Sequence, residues 1–450
     1  MTAIINHPNP KTVLRGEGCY LFLKDGDDDN SGRAAEYKVI DASGGAAVAC
    51  LGHANKEVNQ AMIDQMNKLS YVAGAHATTL VEKELAERMV KSTEGKMSHV
   101  MVLNSESAIK FARDYFYRKA QKEWTGAARK NFISREGSYH GNTLGALSAS
   151  DIKVRREPYE EILLDNFHHV NRCYARDMGE GETDARYVGR LAKELDDKFE
   201  ELKDGDNETV CAFIAEPVVG AAQGCVGPVP GYFEAMRKVC DNHGALLILD
   251  EVMCGMGRIG TLHAWQHEVV NVVPDIQTIG KGFGGGYQPV AAMMVRKDVM
   301  EQFNSFSSDG VFIHGHTYDG HAIACAAARE VLSVMERGDL LQNVRKMGEL
   351  LGRRLKEELR EFRDSQVIKD IRGHGLFWGI KFDEDAGLII DKISELCGTR
   401  EHPIFVYSTA ATNNIIVAPP YIVTKDHVEE IIQLVVTVVK KGIRAVQRQG

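Results

Sequence analysis

Nine cysteines are spread over 450 residues, an odd number with no Cys-x-x-Cys pair. This excludes a disulfide framework or a zinc site of the usual spacing and reads as buried thiols in a reducing compartment. Long apolar runs are missing, and none approaches the ~20 residues of a membrane span. The opening MTAIINHPNPKTVLRGEG has neither the apolar core of a secretory signal nor the Arg- and Ser-rich pattern of a transit peptide, so the expected location is the cytosol. Clustered Lys and Arg are missing as well. With a formal net charge of -9, the chain is not expected to bind nucleic acid or an anionic membrane. The acidic stretch 23–37, LKDGDDDNSGRAAEY, lacks the spaced ligand set ending in Glu that a calcium loop needs, and His168-His169 has no Cys or acid at ligand spacing. No metal is expected. Internal repeats and low-complexity linkers are absent.

What is present is an ordinary globular composition, 44% hydrophobic and 26% charged, long enough for more than one domain. The most informative stretch is 245–286, ALLILDEVMCGMGRIGTLHAWQHEVVNVVPDIQTIGKGFGGG. Residues 245–249 form a short apolar run ended by an acid, the pattern of a parallel strand covered on both faces. Asp250 then stands at a strand's carboxyl end, the edge where open α/β sheets bind ligands. A second run, 275–279, delivers Gly280-Lys281-Gly282 to the same edge. A lysine amine and a carboxylate converging there suit pyridoxal phosphate (PLP), which takes a lysine for covalent attachment and an acid that keeps its ring nitrogen protonated. An ion pair beside a glycine turn explains the two residues equally simply.

Elsewhere the spacing predicts short strands between 20 and 51 and helices over 55–68 and 79–90, with a loop at 70–74. A strand over 99–103 feeds a helix whose apolar face is Ala108, Phe111, Ala112, Tyr115 and Phe116. The start of that helix, 104–107, has the free N–H groups and dipole end that attract a phosphate. Strands are expected at 131–134, before Tyr139-His140-Gly141, and at 210–215, before Glu216-Pro217. From about 330 on, helical periodicity at 331–335 and 351–359 and strands near 375–382 and 415–417 read as a small α+β unit.

The segments AFIAEPVVGAAQG, ALLILDEVMCGMGR and PDIQTIGKGFGGGY, with DASGGAAVACLGHAN, GSYHGNT, GHTYDGHAIACAAA, IRGHGLFWGI and IIVAPPYIVT, resemble in order and spacing the class III (ω-amino acid and amine) aminotransferases of PLP fold type I. The resemblance covers nearly the whole chain. It implies an α/β fold: a large domain, 71–329, with a mostly parallel central sheet, and a smaller α+β domain built from the N-terminal segment 1–70 and the C-terminal segment 330–450. It also implies Lys281 as the cofactor's attachment point and Asp250 at its ring nitrogen. Tyr139 would stack on the ring with Val252 packed on the opposite face, His140 beside them, and Glu216 in the polar network. Ser105 and Ser107 would grip the phosphate, and Thr317 would reach the phosphate of a second subunit, making an obligate homodimer with shared sites. Substrate would meet Tyr71, Gly45 and Ala46, small residues that widen the pocket, and Arg372 would hold a carboxylate. Met253, where relatives that use 2-oxoglutarate often carry glutamine, points to the branch that pairs amines or ω-amino acids with pyruvate. Two departures stand out. The stretch 104–107 is several residues shorter than the family pattern and lacks its glycine, which leaves Glu106 near a dianion, and 407–414 is also contracted. Alternatives are another PLP reaction on the same fold (aminomutase, decarboxylase or racemase) and a cofactor-deficient homologue acting as a structural or binding dimer.

Overall fold

The computed structural model describes residues 11–24, 36–74, 76–104, 106–123, 129–306, 310–383, 386–409 and 412–447. The acidic run within 25–35 and Ser105 lie outside these residues. The centre of the molecule is a seven-stranded sheet in the order Met97–Leu103, Ala291–Arg296, Ile276–Ile279, Leu246–Asp250, Val210–Ala215, Asn131–Arg135, Phe167–Val170. Ala291–Arg296 runs antiparallel to both neighbours, and the other pairs are parallel. The inner strands are buried along their whole length because helices cover both faces, hence the apolar runs of Val210–Ala215 and Leu246–Leu249; Ile276–Ile279 buries Gln277 and Thr278 as well.

Side chains of one strand alternate between two cores, as the period of two requires. Leu247 and Leu249 face a cluster with Leu191, Leu195, Phe199, Phe233 and Met236, from helices Asp184–Glu201 and Tyr232–Asn242. Leu246 and Ile248 face Phe111, Ala112, Tyr115 and Phe303, from helices Ser107–Glu123 and Lys297–Phe306. Two helices form where expected and start at good caps: Asn55 accepts from Glu57 and Val58 N–H, and Thr79 accepts from Glu82 N–H.

Two smaller sheets flank this unit. One joins the chain's two ends: Val13–Glu17, Tyr20–Lys24 and Glu36–Asp41, with Ile404–Phe405 added in parallel to the last. The other is antiparallel, in the order Ile368–His374, Phe377–Phe382, Asn414–Val417, Tyr407–Thr409. The expected boundary at 330 falls inside helix Ala322–Arg337, which packs on helices Lys56–Lys68 and Leu80–Ser92. Among the described residues no helix is long and apolar enough to cross a membrane.

Helix Leu340–Glu358 approaches the hairpin of the second sheet through two glycines one turn apart. A Cβ on Gly352 would lie 1.9 Å from Trp378 Cζ2, and one on Gly348 would lie 2.0 Å from the Gly375 carbonyl oxygen. Gly352→Ala therefore forces the helix off the sheet. It is expected to cost about 1–3 kcal/mol in urea unfolding, and an unchanged midpoint would show that the contact yields freely.

Candidate active site

Three neighbouring parallel strands bring their carboxyl ends to one edge. Val210–Ala215 ends before Glu216, Leu246–Asp250 ends on Asp250, and Ile276–Ile279 ends before Gly280-Lys281. The register sets Asp250 opposite Thr278, and Ala215 opposite Leu249. Asp250 is only 7% exposed. One of its carboxylate oxygens lies 2.8 Å from His140 Nδ1, and the other accepts from Val252 N–H at 3.1 Å and from the Thr278 hydroxyl at 3.2 Å. His140 Nε2 is buried and has no hydrogen-bond partner among the described residues.

Glu216 holds the loop that carries Tyr139 and His140. Its carboxylate accepts from Tyr139 N–H at 3.0 Å and Gly220 N–H at 2.9 Å, and its carbonyl accepts from buried Arg135. Burial raises the Glu216 carboxyl above the ordinary range, His140 opposes that rise, and Asp250 adds to it. The Tyr139 ring packs against Val219, Ala222 and Val226, and the Arg155 guanidinium lies 5.0 Å from its centroid.

Lys281 has φ +44°, a left-handed conformation that side chains rarely adopt and that clusters at functional positions. Gly280 packs against Val252, to whose Cγ1 a Cβ there would come within 3.4 Å, an ordinary contact. Burial pulls the Lys281 amine below the ordinary lysine range, while Glu216, Asp250 and Cys254 pull it back up. Such an amine is more often unprotonated and so a better nucleophile and base. The lysine, the acid pair and Val252 thus come together in one place.

Of the other expected site residues, Gly45 and Ala46 belong to segment Gly44–Ala47, which packs against Lys281–Phe283, while the rest have partners of their own. Gly45 lines a cavity of about 770 Å³ bounded by Asp41, His53, Gly285, Gly286, Tyr287 and Phe405, and a Cβ on it would meet no atom within 4 Å. Ala46 is half-buried next to it. Tyr71 donates its hydroxyl to the Thr317 carbonyl at 2.8 Å and meets Tyr318 edge-on at 5.9 Å, on an exposed face of the molecule. Ser107 is fully buried, and its hydroxyl is engaged by Asn104 at 3.1 Å and His314 at 2.6 Å. Arg372, expected to hold a carboxylate, is engaged by protein groups. Its guanidinium is 3.2 Å from each of the Tyr174 hydroxyl, the Asp370 carboxylate and Asn414 Oδ1, and it also donates to the Gln223 carbonyl. Arg258 is likewise committed, to the carbonyls of Leu376, Pro419 and Ala47. Another cavity, of about 820 Å³ between helices Leu80–Ser92 and Ala322–Arg337, is lined by none of the expected residues.

Two contributors escaped the sequence reading. Thr278 touches Asp250, and aligning the carboxyl ends of the two strands would have found it. Glu251, next to Asp250 and turned the other way, accepts from Ala264 N–H, Trp265 N–H and Gln277. It fixes the 251–265 loop, and burial pushes its carboxyl up to about 8.

The family model for class III aminotransferases matches residues 4–439. An uncharacterised aminotransferase of Schizosaccharomyces pombe is 39% identical over 452 residues, which cover 95% of this chain and 92% of that protein. A gamma aminobutyrate transaminase of Solanum lycopersicum is 30% identical over 94% of the chain and 79% of its own length. Among solved structures, the omega transaminase of Pseudomonas jessenii in complex with PMP superposes with a TM-score of 0.84 at 28% identity, covering 100% of this chain and 97% of that one. On this match and the architecture of its sheet edge, the chain belongs to the class III aminotransferases and is a PLP-dependent transaminase of fold type I.

Proposed function

We propose that this chain moves an amino group from an amine or ω-amino acid to a keto acid, with pyruvate preferred to 2-oxoglutarate. The observation that carries the reading is Lys281, its amine lowered by burial, at the same sheet edge as the Asp250–His140 pair. The residues fit a pyridoxal ring: Lys281 would hold it covalently, Asp250 would face the ring nitrogen, and Val252 and Tyr139 would flank it. When bound, the cofactor supplies an electron sink for negative charge at the donor carbon. Lys281 Nζ takes the proton from that carbon and returns it on the other side of the transfer. Asp250 would face the ring nitrogen, its orientation held by His140 Nδ1, Val252 N–H and the Thr278 hydroxyl. Glu216 positions Tyr139 and His140 through their backbone.

The donor class follows from the cavity at Gly45. Among the described residues no Lys or Arg lines it, and the space beside Gly45 is open. Its one carboxylate, Asp41, is already held by His53, Ser43 and Gly44, so the roomy wall suits the body of a bulky amine, and a monocarboxylate acceptor needs one cation fewer than a dicarboxylate does. Half-reactions followed by cofactor absorbance test the assignment. Bulky amines and alanine should react, and reaction confined to glutamate and 2-oxoglutarate would remove the chain from this branch. Gly45→Trp, read against Gly45→Ala, which carries the same strain at φ +72°, is expected to slow bulky donors about tenfold or more while sparing alanine. Equal slowing of both would show that the cavity does not admit the donor.

A homodimer is part of the same reading. Ile313 and Tyr318 are 81% and 71% exposed next to Tyr71 and Thr317, an apolar face that a second copy would cover. Light scattering should give twice the chain mass. All nine cysteines are buried and unpaired, which suits the cytosol.

A further inference from the structure

We infer that His53, held by Asp41 in the cavity beside Gly45, takes the carboxylate of the keto acid, the role expected of Arg372. The inference rests on the reading above that this cavity admits the substrate. A carboxylate leaves water only for a site that returns hydrogen bonds and positive charge. Arg372 and Arg258 are spent on protein groups. Of the described residues that line the cavity, His53 is the one basic side chain.

The backbone of His53 is fixed. Its N–H donates to the Gly18 carbonyl at 2.8 Å, its carbonyl accepts from Gly18 N–H at 3.0 Å, and Gly16 leaves room for the side chain, since a Cβ there would lie 2.5 Å from His53 Cβ. The ring is fixed by Asp41. One Asp41 carboxylate oxygen lies 3.0 Å from His53 Nε2, and the other accepts from Ser43 N–H at 3.1 Å, the Ser43 hydroxyl at 2.7 Å and Gly44 N–H at 2.9 Å. Burial pushes the Asp41 carboxyl up, but the bonds from His53 and Ser43 outweigh it and hold the group below the ordinary carboxylate range. An ionised Asp41 can only accept, so Nε2 carries the proton between them and Nδ1 is the nitrogen left for a ligand. Nδ1 has no partner among the described residues, and the side chain keeps 23% of its surface exposed.

Two states of this ring suit the two half-reactions. While the ring is neutral, the wall carries no positive charge against the body of an amine. With a second proton, Nδ1–H donates to the acceptor's carboxylate in a charge-assisted bond, and Asp41 balances the imidazolium from behind. One such cation serves a monocarboxylate and leaves the second carboxylate of 2-oxoglutarate unmatched. Besides His53, the titratable groups on the wall are Asp41 and Tyr287. The Tyr287 hydroxyl donates to the Gly52 carbonyl at 3.0 Å and accepts from Asn55 N–H at 2.9 Å, and burial raises it above the ordinary tyrosine range. Strands Val13–Glu17 and Tyr20–Lys24, helix Lys56–Lys68 and residues 405–406 bring only uncharged side chains to the wall: Gly16, Leu21, Asn59, Met62, Phe405 and Val406.

The test compares the two half-reactions of the holoenzyme, followed by cofactor absorbance, in the parent and in His53→Gln, whose amide can still donate to Asp41 but takes no charge. The apparent dissociation constant for pyruvate should rise about tenfold or more, while reaction with an arylalkyl amine that carries no carboxylate stays within about twofold, which also shows the variant to be folded. Raising the pH from about 6 to about 9 should weaken pyruvate in the parent by up to about tenfold per pH unit and leave the variant flat. Propionate, an unreactive carboxylate, gives a reading that needs no variant. Its binding to the parent, measured by calorimetry at about pH 8 in two buffers of different ionisation heat, should take up a proton. Pyruvate binding unchanged by His53→Gln, both half-reactions slowed alike, or propionate bound without proton uptake overturns the inference and leaves the donor reading intact. Amines and alanine that fail to react with the parent overturn the reading on which it rests.

Discussion

Lys281→Ala is expected to abolish amino transfer, a loss of at least about ten thousandfold, because on the proposed reading one side chain would supply both the attachment and the proton carrier. The fold should survive. The lysine amine makes no hydrogen bond among the described residues, and alanine at φ +44° is no more strained than lysine. Unchanged far-UV circular dichroism and urea midpoint, with activity gone, is the expected pair of results. Activity within a hundredfold of the parent would show that another group carries the proton.

The second large effect is expected from Asp250→Asn. A carboxylate beside the ring nitrogen raises that nitrogen's proton affinity, and asparagine has the shape without the charge. Its amide also turns a donor or a neutral acceptor towards His140 Nδ1, which now sits 2.8 Å from a carboxylate oxygen. Amino transfer should fall by about a hundred- to a thousandfold, as for the loss of a preorganised electrostatic group. Unfolding should change little, since Val252 N–H and the Thr278 hydroxyl retain an acceptor. Because the loss acts through the ring, the absorbance of the bound cofactor should shift as well, which a merely structural role for Asp250 would not produce. Turnover near the parent value would remove Asp250 from that position.

The sheet edge was legible because each feature there is local. Leu246–Leu249 is an uninterrupted apolar run closed by Asp250, and the short, fully buried Ile276–Ile279 runs straight into Gly280-Lys281. Asn55 and Thr79 announced their helices by the same local rule. Other features were set by distant partners. The strand Ile368–His374 is only partly buried, so IKDIRGH shows neither alternation nor an apolar run. Arg372 is pinned by Tyr174, Gln223 and Asn414, residues far away in sequence, and no motif could show that its charge is spent. Ala291–Arg296 follows a glycine-rich turn and was missed as the antiparallel strand that inserts between Met97–Leu103 and Ile276–Ile279. At 104–107 the shortened spacing was visible, yet the partners of Ser107 and Glu106, His314 and Thr143, are brought there only by the fold.

The central claim is that the amine at the end of Ile276–Ile279 is the cofactor's attachment point. Borohydride reduction of the protein loaded with pyridoxal 5′-phosphate, followed by peptide mass mapping, tests it most directly. The account predicts a pyridoxyl group on the peptide containing Lys281, absent from Lys281→Ala. A stoichiometric label on any other lysine, or a protein that takes no label, would contradict it.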